Sequence, residues 1–253
     1  MRIRIRLFSE KVPFELPVNY NHALTSLIYG VLASSSQDFS TFLHDEGFRI
    51  AHKRFKLFTF SQLLTPKRRM EGQRLISLSE RLELLISSPV SEFIEHLAQG
   101  LLSRGQIKIA DREFSIERIE IVARPVFGEE MRFTCLSPLV VSTAEVRNEK
   151  LFAQYLRHDD PRFSEAVAKN LWQKYQLVHG QKPRHERLTL EFDPQYIAKK
   201  QKGIYRLMDY NGTKIKAIMV PFKACGNPEL IEIGYEAGFG EKNSMGFGMV
   251  EVV

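Results

Sequence analysis

The chain has only two cysteines and one tryptophan among its 253 residues. Cys135 and Cys225 show no metal-ligand spacing, and each lies in a strand-like run where a small buried hydrophobe is expected. No apolar run is long enough to cross a bilayer. The opening Met1-Arg-Ile-Arg-Ile-Arg-Leu alternates charge with apolar residues, whereas a secretory signal separates them. A cytoplasmic location with no membrane partner is therefore expected. Acidic residues are scattered, with no paired-carboxylate motif and no His/Asp cluster at ligand spacing. Neither a metal site nor a cofactor is expected.

Glycine is also sparse, at 15 residues, and its distribution is uneven. Five of the fifteen fall between Gly234 and Gly248. Glycine loses more conformational freedom on folding than any other residue, so this density marks a backbone that needs positive φ or a very close approach. A Walker A loop is excluded, because Lys242 follows Glu241 and a strand, not a helix, lies ahead. A dinucleotide fingerprint is excluded by the spacing of Gly238, Gly240 and Gly246. Backbone amides beside a lysine suit a phosphate-bearing partner. The net charge of +6 favours a polyanion.

Hydrophobic residues make up 43% of the chain and charged residues 26%, enough to bury real cores in one large or two modest domains. Arg2–Phe8 alternates strictly and predicts a half-buried strand. Leu24, Leu27, Ile28 and Val31 then recur at helical spacing after the turn-forming Asn19-Tyr-Asn-His22. A short helix is predicted over 40–45, closed by Gly47. Residues 55–64, 74–79 and 82–87 read as strands. Pro89 opens a helix whose buried face is Phe93, Ile94, Leu97, Leu101 and Leu102. Strands over 107–109 and 114–122 close the first half.

Strand, helix, strand, strand, helix, strand is the ferredoxin-like order. A boundary is predicted at 124–128. In the second half, 131–136, 139–143, 188–192, 214–222 and 246–252 read as strands. Residues 151–156, 164–177 and 228–236 read as helices. The expected class is α+β, with tandem ferredoxin-like (RRM-like, βαββαβ) domains over 1–124 and 125–253.

Residues 238–248, Gly-Phe-Gly-Glu-Lys-Asn-Ser-Met-Gly-Phe-Gly, stand just before the terminal strand. They closely resemble the signature loop of the CRISPR repeat-cleaving endoribonucleases of the RAMP superfamily. The similarity spans essentially the whole chain and itself implies tandem ferredoxin-like domains. It further implies metal-independent cleavage of CRISPR repeat RNA (pre-crRNA) to guide RNAs through the 2′-hydroxyl. Such cleavage leaves a 2′,3′-cyclic phosphate and a 5′-hydroxyl. Non-cleaving relatives carry similar loops, so the alternative is an RNA-binding subunit that holds guide RNA in an effector complex. Effector-complex subunits and a second copy of the chain stay open as partners.

Tyr29, His44 and Lys56 follow the order of the tyrosine, histidine and lysine in family members that cleave without metal. The resemblance implies that Tyr29 assists deprotonation of the 2′-hydroxyl and that His44 protonates the leaving 5′-oxygen. Lys56 would steady the phosphorane charge, with Lys53 or Arg54 close enough in sequence to replace it. Histidine, which titrates near neutral pH, is the natural acid or base. Lys53, Arg54, Gly238, Gly240, Lys242, Asn243, Ser244, Gly246 and Gly248 are the expected RNA contacts. Phe55 and Phe58, interleaved with this basic cluster, are candidates to stack on bases.

Overall fold

The computed structural model describes residues 1–147 and 150–253. The chain divides into two compact units, Met1–Arg124 with Ser244–Gly246, and Pro125–Asn243 with Phe247–Val253.

In the first unit, β1 (Arg2–Phe8) and β2 (Phe14–Pro17) precede α1 (Asn21–Ser35) and α2 (Gln37–Thr41). There follow β3 (Phe48–Ile50), β4 (Lys53–Phe55), β5 (Thr59–Phe60), β6 (Arg68–Glu71), β7 (Arg74–Ser77) and β8 (Arg81–Ser87). Helix α3 (Ser91–Arg104) and the strands β9 (Gln106–Ile109) and β10 (Arg112–Ile121) complete it. The main sheet runs β5-β8-β1-β10-β9, antiparallel throughout. Its first four members are the second, third, first and fourth strands of a βαββαβ unit, so this is a ferredoxin-like sheet. Strand alternation sorts its two faces. Ile3, Ile5 and Leu7 pair with Ile86, Leu84 and Leu82 and enter the core with Ile28, Val31, Phe93 and Leu97. Arg4 and Arg6 point the other way, where Arg6 meets Glu83 at 3.2 Å. Each large aliphatic buried this way contributes about 1.5–3 kcal/mol.

Four expectations are revised here. The short helix predicted over 40–45 instead starts at Gln37, where the Ser36 hydroxyl accepts from Phe39 N at 3.3 Å. It runs on as a π turn over Phe42–Glu46. The strand predicted over 55–64 is broken, because Leu57 takes φ +54 so that both Leu57 and Phe58 can be buried. Phe58 stacks on Phe93 at 4.7 Å in the core, which removes it as a base-stacking residue, while Phe55 remains half-buried. Leu102, expected on the buried face of α3, is 72% exposed; Gly100 joins the expected Leu101 on that face instead.

The second unit starts with β11 (Glu130–Cys135), β12 (Ser142–Arg147), β13 (Lys150–Tyr155) and α4 (Phe163–His179). It continues through β14 (Leu188–Phe192), α5 (Pro194–Lys200), β15 (Tyr205–Tyr210) and β16 (Thr213–Ile218). It ends with β17 (Phe222–Gly226), α6 (Pro228–Ala237) and β18 (Val250–Val252). Its sheet order β14-β17-β11-β18 again reads second, third, first, fourth. Two hairpins, β12-β13 and β15-β16, are additions to this core. Among the described residues no helix is long and apolar enough to cross a membrane.

The helix predicted over 151–156 is instead the strand β13, paired with β12 through Ser142↔Tyr155 and Ala144↔Ala153. A short, mostly apolar run has no decisive period, and a partner strand settles it. Residues 139–141 are not a strand; Leu139 forms an isolated bridge with Ile218. The strand predicted over 214–222 splits into β16 and β17, with Pro221, which has no N–H for a ladder, in the gap. The last strand begins only at Val250, because Gly246 and Gly248 sit at φ +83 and +80. Cys135 is buried and Cys225 only half-buried.

Candidate active site and glycine loop

Two neighbouring elements of the first unit place Tyr29 and His44 together. Tyr29 lies on α1, and its backbone carbonyl accepts from the Ser40 hydroxyl at 3.2 Å, which fixes α2 against α1. The π turn then closes through Gly47 N to Phe42 O at 2.7 Å, and Gly47 ends it at φ +62. Leu43 anchors the turn in the core and His44 faces outward. The Tyr29 and His44 rings meet edge to face, 5.3 Å between centroids and 84° between planes. His44 Nδ1 donates to Asp45 Oδ1 at 2.7 Å. With Nδ1 engaged by Asp45, Nε2 is the nitrogen positioned for proton transfer.

Lys56 reaches the same turn from the segment after β4. Its ammonium donates to Leu43 O and, at 2.5 Å, to His44 O. Arg54 Nη1 donates to Asp45 O at 2.9 Å. Two cations therefore take three successive carbonyls at the end of the turn, the favoured place for positive charge. Burial pulls Lys56 below the ordinary lysine range and nearby Arg54 adds to this, with Asp45 opposing. Lys53 is exposed on β4. Asp45 is the residue that sequence reasoning missed as a partner of His44, although it stands next in the chain.

In the loop, Gly238, Gly240, Gly246 and Gly248 all take positive φ, and so does Lys242, at +57. The glycines make room for protein. A Cβ at Gly240 would lie 2.3 Å from Val140 O, and one at Gly246 would lie 2.5 Å from Asn21 Nδ2 and from the Phe60 ring. Many of the loop's amides are taken as well: Phe239 N donates to Gly248 O, Glu241 N to Val140 O and Gly248 N to Pro138 O. Asn21 does not cap α1. Its Nδ2 donates to Met245 O at 2.9 Å and Gly246 O at 3.3 Å, and Thr25 Oγ1 donates to Ser244 O at 3.2 Å. Gly238, Gly240, Asn243, Gly246 and Gly248 are buried, while Glu241, Lys242 and Ser244 are half-exposed. Of the residues expected to contact RNA, the side chains that can reach a ligand here are Lys242 and Ser244. Among the described residues no three His, Cys, Asp or Glu side chains converge as a metal site.

Residues 122–252 match the family described as CRISPR associated protein Cas6, C-terminal, and residues 15–120 match CRISPR-associated protein Cas6, N-terminal. The CRISPR-associated endoribonuclease Cas6 of Pyrococcus furiosus is 32% identical over 255 residues, covering 100% of this chain and 90% of the relative. The chain belongs to the Cas6 family. Among solved structures, that of a Cas6-related gene from Pyrococcus furiosus matches with a TM-score of 0.87 and 26% identity, covering 100% of this chain and 98% of the other. A structure described as a RAMP protein binding different RNA substrates matches with a TM-score of 0.85 and 27% identity, covering 100% and 99%. Both share the fold of this chain over its full length.

Proposed function

We propose that this chain is a metal-independent endoribonuclease that cleaves CRISPR repeat RNA (pre-crRNA) to guide RNAs. The single observation that carries this reading is the Tyr29–His44 pair, held 5.3 Å apart on adjoining elements with Asp45 on His44 Nδ1. The relatives named as CRISPR-associated endoribonucleases support the activity, and the similar RAMP protein described as binding RNA supports the substrate class.

In the reaction, Tyr29 assists removal of the 2′-hydroxyl proton and the 2′-oxygen attacks the adjacent phosphorus. The phosphorane charge is steadied by a cation from the 53–56 segment: Lys56, or Arg54 or Lys53 beside it. The bond from phosphorus to the 5′-oxygen breaks, and His44 Nε2 donates a proton to that oxygen. The products are a 2′,3′-cyclic phosphate and a 5′-hydroxyl. Acid–base transfer and charge stabilisation supply the chemistry without a metal. Lys242 and Ser244 of the loop, with Lys53 and Arg54, bind the RNA, and Asn243 holds the loop from inside. Lys242 acts through its charge and Ser244 through its hydroxyl, and the buried glycines shape the loop. The reading requires neither a second copy nor effector-complex subunits.

Single-turnover cleavage of repeat RNA in EDTA tests it. Cutting should persist, and a 2′-deoxy substitution at the scissile nucleotide should abolish it while binding remains. Cutting of the deoxy substrate overturns attack by the 2′-hydroxyl. Tight binding without any cutting of natural RNA supports the non-catalytic subunit instead.

A further inference from the structure

Helix α4 carries a lysine on its buried face. Lys174 falls in line with Val167 and Leu171 at helical spacing and is 2% exposed. Its Nζ donates to Gly238 O at 2.7 Å, Gly240 O at 2.9 Å and Asn243 Oδ1 at 2.6 Å. Three acceptors match the three protons of an ammonium group. Asn243 continues the clamp, its Nδ2 donating to Phe239 O at 3.3 Å and Phe247 O at 3.0 Å. Two side chains therefore turn the carbonyls of residues 238, 239, 240 and 247 inward. On the far side, Glu241 N donates to Val140 O at 2.7 Å, and Glu241 Oε2 accepts from the Ser142 hydroxyl at 2.7 Å.

Lys242 stands between these pinned residues in the left-handed region, at φ +57. Residues with a Cβ rarely adopt that conformation and hold it only when the surroundings impose it. A buried lysine is also a poor route to stability, because desolvating the charge offsets what its partners return. An apolar side chain would fill the same space, but it could not dictate the direction of three acceptors.

We propose that Lys174 is the positioning residue of the RNA-contact loop, fixing the backbone from which Lys242 and Ser244 meet RNA phosphate. This rests on the RNA reading above. Lys174 touches no RNA in this arrangement. It acts through Gly238, Gly240 and Asn243.

The test compares the parent with Lys174→Met and Lys174→Gln in amide hydrogen exchange, repeat-RNA affinity and single-turnover cleavage at saturating RNA. In Lys174→Met, exchange over 238–248 should rise at least about tenfold while β1 and α1 stay protected, since local opening follows lost pinning. RNA affinity should fall on the order of tenfold, because a preorganised contact has become mobile. The cleavage rate at saturating RNA should stay within about twofold, because Tyr29 and His44 are untouched. Lys174→Gln keeps two N–H donors and should recover part of both losses; it also carries the test should the methionine variant fail to fold. Parent-like loop exchange in the variants overturns the proposal, and so does a loosened loop with parent-like RNA affinity. If the parent itself binds no repeat RNA, the RNA reading falls and takes the loop's functional role with it. The exchange data would then still decide whether Lys174 pins the loop.

Discussion

Tyr29 meets His44 edge to face, and the contact joins α1 to a π turn whose conformation no single residue of the sequence dictates. The turn gives the imidazole an aromatic wall on one side and the Asp45 carboxylate on Nδ1. An acid for the leaving 5′-oxygen needs a fixed direction. The Tyr29 ring and the Asp45 hydrogen bond supply it.

His44→Ala should therefore slow single-turnover cleavage about a hundred- to ten-thousand-fold, with repeat-RNA affinity within about threefold of the parent. Tyr29→Phe keeps the edge-to-face contact and removes only the hydroxyl, so its effect should be smaller. Asp45→Ala should also slow the reaction by less than His44→Ala. A His44→Ala protein that cuts at the parental rate would end the assignment.

Lys56 raises a different question, because its ammonium is bonded to Leu43 O and His44 O. Lys56→Gln keeps N–H donors near those carbonyls and removes the charge. If the charge acts on the phosphorane, cleavage should fall about a hundred- to a thousandfold while the melting temperature holds. If Lys56 only caps the turn, Lys56→Gln should cut close to the parental rate. Arg54→Ala, compared on the same scale, shows whether the cation comes from the neighbouring residue.

The sequence made much of this legible and left the rest to tertiary context. Ile3, Ile5 and Leu7 alternate, and Leu24, Ile28 and Val31 recur at helical spacing, because each set faces a single core. That is enough to read the βαββαβ order of the first unit. Strand β13 was not legible, since a short apolar run takes its conformation from the β12 partner. Nor was the break at Leu57, where burying two successive side chains outweighs a regular ladder. Density of glycine correctly signalled positive φ in the loop, but which surface the glycines approach is a matter of packing. They approach Val140, Phe239, Asn21 and Phe60. Lys174 left a trace in its place on an apolar helix face, a signal easily lost among solvated lysines.

Burial pulls Lys174 down to about 7 from 10.5, with Glu241 opposing. Between those values the unfolded chain holds a proton that the folded chain has released, so stability rises with pH across that window. The cost of carrying the buried charge is fully present below about pH 7 and gone above about pH 10.5. The slope approaches about 1.4 kcal/mol per pH unit in mid-window. Urea unfolding of the parent and Lys174→Met at pH 7, 8.5 and 10 isolates it. The stability of Lys174→Met minus that of the parent should shrink steadily as pH rises. A flat difference would mean that Lys174 titrates alike in the folded and unfolded chains.

Gly240 and Gly72 offer a controlled comparison of strain against crowding. Both sit in the left-handed region, at φ +74 and +55. An alanine at either position incurs the same kind of Cβ strain, about 1–2 kcal/mol. At Gly72 nothing lies within 4 Å of that Cβ, whereas at Gly240 it would fall 2.3 Å from Val140 O. That oxygen also accepts Glu241 N, so moving it away strains or breaks a loop hydrogen bond worth about 1 kcal/mol. No rotamer change relieves a backbone contact. Gly240→Ala should accordingly destabilise the protein by roughly 2–4 kcal/mol and Gly72→Ala by about 1–2 kcal/mol, read by urea unfolding. Lys242→Ala supplies the contrast: it should fold like the parent, weaken RNA binding across sequences, and flatten the salt dependence by less than one phosphate contact. If Gly240→Ala and Gly72→Ala prove equally costly, the loop yields freely around Val140 and is not held in one conformation.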